Sequence, residues 1–311
     1  MPEAAATATA GPYARAAVIG VGLMGGSLAL ALKAGAQVRH VVGYSPSRQT
    51  LETALALGAI DEAAPDAASA ARGCDLVVLA VPVGAMAASF AAIAPVLAPG
   101  CLVIDVGSTK GDVIAAARAH LGARLADFVP CHPIAGKEKA GAAAAHAGLY
   151  RERRAIVTPL PENTEDAIAR ASRLWQAVGS HVALMPADLH DQVFAAVSHL
   201  PHLLAFAYVN GLLDQPDGAA AMACGGPGFR DFSRVAGSEP AMWRDVLLAN
   251  RDAVLAQSRH FRQALQQLED DLRAGDAARL EAGVARASRA RSAWTLDSGA
   301  AGAPPVAVAD R

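Results

Sequence analysis

Residues 17–27 of this chain read A-V-I-G-V-G-L-M-G-G-S and give the strongest indication of its fold. Their G-x-G-x-x-G spacing follows a short apolar run and precedes a leucine- and alanine-rich segment, which indicates a strand, a tight turn and a helix. In such a unit Gly20 permits the turn, Gly22 lets a pyrophosphate approach the backbone, and Gly25 brings the helix close to the strand. The helix N-terminus offers N–H groups to phosphates. We therefore predict a dinucleotide site that includes Gly20, Gly22, Leu23, Met24 and Gly25.

Short apolar runs alternate with helix-length segments from residue 14 to about residue 185. Seven of these runs are predicted strands: Ala16–Ile19, His40–Tyr44, Leu76–Val81, Leu102–Val106, Phe128–Cys131, Ala155–Thr158 and His181–Leu184. Strands separated by helices imply βαβ units and a mostly parallel sheet. Several runs are continuously apolar, as expected for strands that are covered on both faces. The fold class is therefore α/β, with an N-terminal Rossmann-type doubly wound sheet.

Helical periodicity replaces the strand pattern after residue 185. Asp188 is placed to cap a helix that runs to about Leu213, and a Gly/Pro-rich stretch follows at residues 224–228. A second helix begins near Glu239, with apolar residues at helical spacing, and a third ends near Trp294. We predict a dinucleotide-binding domain over residues 14–185 and an all-helical substrate and dimerisation domain over residues 186–296. Disordered tails are predicted at both ends, over residues 1–13 and 297–311.

The composition excludes several classes of function. A formal net charge of −2 and 5% aromatic residues leave neither an electrostatic footprint nor stacking platforms for nucleic acid. The charge-free run Leu76–Ile104 is long enough to span a bilayer, but prolines and glycines break it and its ends resemble strands. The N-terminus lacks the basic n-region of a secretory signal. We expect neither a nucleic-acid nor a membrane partner.

The spacing of cysteines and histidines argues against disulfides and metal sites. The four cysteines, at positions 74, 101, 131 and 224, include no C-x-x-C pair, so a reducing cytoplasm is the expected compartment. His199 and His202 stand at i, i+3 on a predicted helix. No third ligand is evident, and Pro201 should distort that turn. We expect no metal.

The end of the second strand bears on the choice of cofactor. An NAD site usually has an acidic residue about 20 residues after the glycines, but residues 43–48 read G-Y-S-P-S-R. The hydroxyls of Ser45 and Ser47 and the guanidinium of Arg48 suit a 2′-phosphate. Val81 and Pro82 follow the charge-free strand, where the chain would pass over the cofactor. NADP is therefore favoured over NAD.

His132 is the candidate proton acceptor. It lies in C-H-P-I-A-G-K-E-K-A-G, residues 131–141, after the fifth predicted strand. Hydride removal from an alcohol requires a proton-accepting side chain beside the nicotinamide, and an imidazole titrates near neutrality. Further polar clusters accompany it: D-V-G-S-T-K at 105–110, D-L-H-D at 188–191, S-H-L-P-H at 198–202 and F-R-D-F-S-R at 229–234.

Together these motifs resemble the prephenate/arogenate (cyclohexadienyl) dehydrogenase family of tyrosine biosynthesis. The resemblance covers about residues 18–252 and depends on G-x-G-x-x-G, G-S-x-K, H-P-I-A-G-x-E, S-H-L-P-H and F-x-D-F-x-R…M-W-R-D. It implies NAD(P)-dependent oxidative decarboxylation of prephenate to 4-hydroxyphenylpyruvate. It also implies that His132 accepts the proton of the ring hydroxyl. Ser108 would orient His132 and face the nicotinamide ribose or the substrate hydroxyl.

The same resemblance implies the substrate-binding residues. Arg234 would hold a substrate carboxylate, for which its forked donors are suited. His202 would meet the side chain of the substrate, and His199 and Glu138 would line or gate the pocket. Two neighbours would support that wall, Arg230 and Asp231, whereas Lys137 receives no role.

Several alternatives stay open at this point. Another two-domain Rossmann dehydrogenase of the β-hydroxyacid type, or a non-catalytic nucleotide-sensing protein, would share the fold. The residues do not separate prephenate from arogenate. The helical domain has few charges on some faces, which favours a homodimer through this domain. Little chain follows it, so we expect any feedback by tyrosine to act at the active site.

Overall fold

The computed structural model describes residues 12–136 and 141–295. Within them, a parallel six-stranded sheet is formed by β1 (Tyr13–Ile19), β2 (Val38–Tyr44), β3 (Glu62–Ala63), β4 (Leu76–Leu79), β5 (Leu102–Asp105) and β6 (Phe128–Val129). The spatial order is β3-β2-β1-β4-β5-β6, and every neighbouring pair is parallel. All residues of β4 and β5 are buried, as their continuous apolar runs predict. The predicted Rossmann-type sheet is confirmed.

The helices in this part of the chain are α1 (Leu23–Ala34), α2 (Arg48–Ala56), α3 (Ala67–Ala71), α4 (Met86–Ile93), α5 (Gly111–His120) and α6 (Glu165–Ala177). The side chains of Ser47, Asp66 and Thr164 accept backbone N–H groups at the starts of α2, α3 and α6. The charge-free run from residue 76 to 104 consists of β4, α4 and β5, as predicted.

A second sheet contains β7 (Cys131–Pro133), β8 (Arg154–Val157) and β9 (His181–Leu184). β7 pairs antiparallel with β8, and β8 pairs parallel with β9. The prediction of one strand over Phe128–Cys131 is therefore wrong, because β6 pairs with β5 whereas β7 pairs with β8. Pro130 stands between them, and a proline lacks the N–H that a continuous inner strand must donate.

The remaining helices are α7 (Ala187–Phe194), α8 (Leu200–Leu213), α9 (Gly218–Ala223), α10 (Pro227–Ser233), α11 (Pro240–Ala249), α12 (Arg251–Ala274) and α13 (Ala277–Ala293). The helix predicted to begin near Glu239 is thus two helices. They are separated at Asn250, whose φ of −109° and ψ of 30° depart from helical geometry. Gly275, with φ +63°, ends α12 in the left-handed conformation.

A π-helical turn at Ala195–His199 separates α7 from α8. Pro201 follows it in the first turn of α8, where its missing N–H and its ring would disturb a regular α-helical ladder. The distortion predicted at this proline is present. Among the described residues, Ala187–Leu213 is the one helical stretch whose length and apolarity would suffice to cross a membrane, a property shared with core helices of other proteins.

The chain forms two compact units, which differ from the predicted domains. The first unit combines the residues up to Asp191 with Ser238–Ala249, and the second combines Gln192–Gly237 with the residues from Asn250 onward. α11 joins the first unit because it packs near Gly84, where a Cβ would lie 2.7 Å from the Asp245 carboxylate. Tyr13 is buried and begins β1, so it is not part of a tail. The other predicted tail residues, apart from Pro12, lie outside the described residues.

Candidate active site

The glycine-rich turn between β1 and α1 has the geometry of a phosphate cradle. Gly20 has φ +95°, and a Cβ there would lie 2.4 Å from the carbonyl oxygen of Ala80. A Cβ on Gly25 would lie 2.0 Å from the carbonyl oxygen of Gly20. A Cβ on Gly22, in contrast, would meet no atom within 4 Å. The first and third glycines therefore close the turn, and the second leaves its backbone open to a ligand.

The start of α1 fits the pyrophosphate of a dinucleotide. Leu23 and Met24 are its first residues, and Gly22 precedes it without a side-chain cap, so backbone N–H groups are exposed for an anion. Val81 is half-buried and Pro82 exposed, directly beyond the end of β4. The cofactor-binding roles of these residues stay predictions.

The loop after β2 holds the residues that bear on NADP. Ser45 Oγ accepts the N–H of Ser47 at 3.2 Å, and Ser47 Oγ accepts the N–H of Thr50 at 3.3 Å. Arg48 is 93% exposed, and its Nε donates to Glu52 at 2.8 Å. Both hydroxyls therefore stabilise the start of α2, and the guanidinium remains accessible to a solvent-side phosphate.

His132 lies in the middle of β7, next to a buried ion pair that sequence reasoning did not assign. The Asp105 carboxylate and the Lys110 ammonium form this pair, and both side chains are fully buried. Asp105 Oδ1 accepts the N–H of Cys131 at 2.9 Å, and Lys110 Nζ donates to the carbonyl of Cys131 at 2.8 Å. The pair therefore holds the backbone immediately before His132 at the end of β5.

The ring of His132 contacts a second histidine. His132 Nδ1 lies 2.8 Å from Nε2 of His190, and His190 Nδ1 lies 2.8 Å from Oδ1 of Asp191. Asp191 also accepts the N–H groups of Lys110 at 2.9 Å and Gly111 at 2.8 Å, where α5 begins. These contacts arrange three side chains in a row within the first unit.

The electrostatics of this row follow from burial and hydrogen bonding. Burial lowers the pKa of His190, and the Lys110 ammonium adds to this effect against the opposing influence of Asp191. Burial alone would raise the pKa of Asp191, but hydrogen bonds from His190, Gly111 and Lys110 bring it below its ordinary value. At neutral pH, His190 is therefore neutral and Asp191 is ionised.

Ser108 does not make the contact expected of it. It is half-buried in the loop between β5 and α5, and in the described part of the chain its hydroxyl forms no hydrogen bond with His132. His190, which reaches the Nδ1 atom from α7, takes that place. The orienting role implied for Ser108 stays a prediction, as does its contact with ribose or substrate.

In the second unit, the structure brings His202 and Arg234 into electrostatic reach of each other. His202 Nδ1 donates to the carbonyl of Ser198 at 2.9 Å. Burial lowers the pKa of His202, and the positive charge of Arg234 lowers it further, against the opposing effect of the Ser198 carbonyl. Arg234 begins a 3-10 turn directly after α10. The charge of Arg234 is therefore felt at His202, and a guanidinium suits a carboxylate-bearing substrate.

The other implied substrate residues have different surroundings. His199 is buried, and its Nδ1 accepts from the Asn250 amide at 3.0 Å, which joins the π-helical turn to the start of α12. Arg230 and Asp231 form an exposed ion pair at 2.9 Å. Glu138 and Lys137 lie outside the described residues. Across residues 12–136 and 141–295, no group of three metal-ligating side chains occurs.

The sequence motifs thus included Asp105, Lys110, His190 and Asp191 but predicted no individual role for them. The motif D-V-G-S-T-K contained the first two, and D-L-H-D contained the others. A polar residue at the end of an otherwise apolar strand, as in L-V-I-D, was the available signal for Asp105. For His190 the polar cluster was visible but its contact with His132 was not, because its partner stands 58 residues earlier in the chain.

Comparison with known proteins finds relatives that match most of the chain. A family model described as prephenate dehydrogenase, nucleotide-binding domain, matches residues 28–184, and one described as prephenate dehydrogenase, dimerization domain, matches residues 186–286. The chain is 35% identical to a cyclohexadienyl dehydrogenase of Zymomonas mobilis, over 90% of this chain and 96% of that protein.

Solved structures agree with this match. Prephenate dehydrogenase from A. aeolicus, in complex with hydroxyphenyl propionate and NAD+, has a TM-score of 0.84 and 32% identity, over 90% of this chain and 97% of that one. Arogenate dehydrogenase from Synechocystis has a TM-score of 0.77 and 26% identity, over 90% of this chain and 100% of that one. Since the two family models together match well over half of its residues, the chain belongs to the prephenate dehydrogenase family.

Proposed function

We propose that this chain catalyses the NAD(P)-dependent oxidative decarboxylation of prephenate to 4-hydroxyphenylpyruvate in tyrosine biosynthesis. The observation that carries the proposal is the anchoring of His132 on β7 in the unit that holds the dinucleotide cradle. When bound, the nicotinamide supplies the acceptor for a hydride from the carbinol carbon. The family match favours this activity over a β-hydroxyacid dehydrogenase or a nucleotide sensor.

The chain's own residues account for the proton and for substrate binding. His132 takes the proton of the ring hydroxyl as the carbinol carbon becomes a carbonyl carbon. Loss of the ring carboxylate as CO₂ then makes the ring aromatic, and the phenolate oxygen takes the proton back from His132. We assign a substrate carboxylate to Arg234, the substrate side chain to His202, and a ribose or substrate hydroxyl to Ser108.

The test is His132→Asn, assayed by cofactor reduction with prephenate. We expect kcat to fall by roughly 10²–10⁴-fold, the range for loss of a general base, with unchanged cofactor affinity. His181→Asn, on β9 of the same sheet, serves as the control and should retain full activity. Undiminished turnover of His132→Asn would remove this residue from the mechanism.

Arogenate is the second candidate substrate, since the similar Synechocystis protein is an arogenate dehydrogenase. It carries an amino group where prephenate has a keto group. The values of kcat/KM for both substrates, measured with each cofactor, decide between them.

For the cofactor, we propose NADP over NAD. The support is the exposed Arg48 beside the hydroxyls of Ser45 and Ser47, with no carboxylate among residues 43–48. The similar A. aeolicus prephenate dehydrogenase was solved with NAD+, so NAD is the alternative cofactor. A kcat/KM that is equal for NAD and NADP would contradict the preference.

We also propose a homodimer through the helical domain and a cytoplasmic location. The dimerization-domain match and the exposed apolar side chains of α12 support the first. The second is supported by the four cysteines, all of which are free. Burial raises the thiol pKa of Cys74 to about 11, and it raises the thiol pKa of Cys101 and Cys131 to about 12. Such thiols remain protonated and unreactive.

A further inference from the structure

The hydrogen bonds that join His132, His190 and Asp191 determine which nitrogen of each imidazole ring carries a proton. In each of these hydrogen bonds one atom donates and the other accepts, and the roles in one bond determine the roles in the next. Asp191 is ionised and can only accept, so the proton on the shared bond with His190 must be on Nδ1 of His190. The same carboxylate accepts two backbone N–H groups, which leaves no ambiguity about its orientation.

The tautomer of His190 in turn determines the tautomer of His132. Because burial keeps His190 neutral, its Nε2 carries a lone pair when Nδ1 carries the proton. The 2.8 Å contact between His190 Nε2 and His132 Nδ1 therefore requires a proton on Nδ1 of His132. In the neutral ring of His132, the lone pair is then on Nε2.

We propose that His190 and Asp191 are positioning residues that hold His132 in the Nδ1–H tautomer, with Nε2 as the atom that accepts the substrate proton. This inference rests on the proposed function, in which His132 is the base. In water a histidine side chain favours the opposite tautomer, with the proton on Nε2. Such a ring would present a donor, not an acceptor, to the substrate hydroxyl.

The arrangement also suits the charged state that the reaction creates. When Nε2 takes the substrate proton, Nδ1–H of His132 still donates to His190, so no hydrogen bond has to reverse. The carboxylate of Asp191 lies beyond His190 and favours the positive charge on the imidazolium. Orientation and charge stabilisation thus come from the same two residues.

The competing explanation is that the cluster only anchors α5. Asp191 does accept the N–H groups of Lys110 and Gly111 at the start of that helix. That role does not require His190, so His190→Phe separates the two explanations. It keeps a planar ring of similar size and leaves Asp191 in place. His181→Phe is the matched control, since His181 forms an exposed pair with Glu152 at 2.9 Å.

We expect His190→Phe to lower kcat by roughly 10²-fold or more while KM for substrate and cofactor stays within about twofold, because a general base is lost and binding is not. His190→Gln, whose amide oxygen can accept from His132, should recover part of the lost kcat. His181→Phe should match the wild type. An unchanged kcat in His190→Phe, or no difference between the Phe and Gln variants, would overturn the proposal.

Tautomers are read directly by ¹⁵N NMR of histidine-labelled full-length protein, with the His132 signals identified by their loss in His132→Asn. We expect a protonated Nδ1 and an unprotonated Nε2 in the wild type, and a shift towards protonated Nε2 in His190→Phe. The opposite tautomer in the wild type would contradict the inference. This readout needs no turnover, so inactivity of the wild type towards prephenate and arogenate would refute the proposed function separately.

Discussion

The protonation state of each histidine in the candidate site depends on the atoms that it contacts. His132, His190 and His202 are all imidazoles, but the structure gives them different partners: His190, Asp191 and a backbone carbonyl. Their residue type was visible in the sequence. Which ring nitrogen carries the proton follows only from those partners.

A residue-scale prediction concerns acid stability. Burial lowers the pKa of His190 and His202 below their ordinary value of 6.5, so near and below that value the unfolded chain binds protons that the folded chain does not. The free energy of unfolding should therefore fall as the pH is lowered from about 7 to about 5. Urea titrations across this range measure it, and His190→Phe should show a shallower dependence. Stability that rises on acidification would contradict the assignment.

A second residue-scale prediction tests Arg234. Removing a guanidinium that holds a substrate carboxylate should raise KM in Arg234→Ala by roughly tenfold to a hundredfold, as for a charged hydrogen bond of about 1.5–3 kcal/mol. Arg273→Ala is the control, since Arg273 is exposed and paired with Glu269 on α12. Steady-state kinetics with prephenate gives the result. Equal KM values for the two variants would reject the role of Arg234.

Several residues of the candidate site lie at or near the ends of strands and helices. β5 ends at Asp105, α5 begins at Gly111, and β7 presents His132 between Cys131 and Pro133. The buried pair of Asp105 and Lys110 links the end of β5 to the backbone of β7. The strand that carries the candidate base is therefore held by a buried ion pair that follows from the end of β5.

The element-scale prediction is that Lys110→Met destabilises the protein. It would leave the Asp105 carboxylate buried without its cation, which costs about 3–5 kcal/mol of unfolding free energy. Lys33→Met, which removes the partly exposed cation paired with Asp61, should cost only about 0–1 kcal/mol. Urea-induced unfolding measures both. Similar losses in the two variants would contradict the special role of the buried pair.

At the scale of the whole molecule, the second unit leaves an apolar stripe exposed. Phe261, Leu265 and Leu272 follow helical spacing on α12 and are 37%, 43% and 62% exposed. Isolated surface leucines are common, but a stripe at this spacing is typical of a helix that packs against a partner. The dimerization-domain match covers this helix.

The whole-molecule prediction is that Leu265→Glu shifts the protein from dimer to monomer, because the interface would have to bury an unpaired carboxylate. Light scattering at micromolar concentration measures the mass. Leu55→Glu, at an exposed leucine of α2 in the first unit, should leave the mass unchanged. A wild-type monomer, or a dimer that persists in Leu265→Glu, would contradict the proposed interface.

The parallel sheet, the glycine-rich turn and the helical second part could all be predicted from the amino-acid sequence. Apolar runs and glycine spacing are local patterns, and local patterns specify local structure. The break at Asn250 and the division at Pro130 were harder to predict, because competing partners such as His199 and β8 decide them. Motif resemblance supplied the family and most candidate residues.

The residues that surround the candidate base became known from the three-dimensional structure. Sequence reasoning selected Ser108 as the partner of His132, but the ring contacts His190 from α7. The buried ion pair of Asp105 and Lys110 was equally hidden, since neither residue stands out among a chain's charged side chains until its burial is known. The physical reason is that side-chain contacts between distant segments depend on how sheets and helices pack. Spacing along the chain does not encode that packing in any pattern that can be read locally.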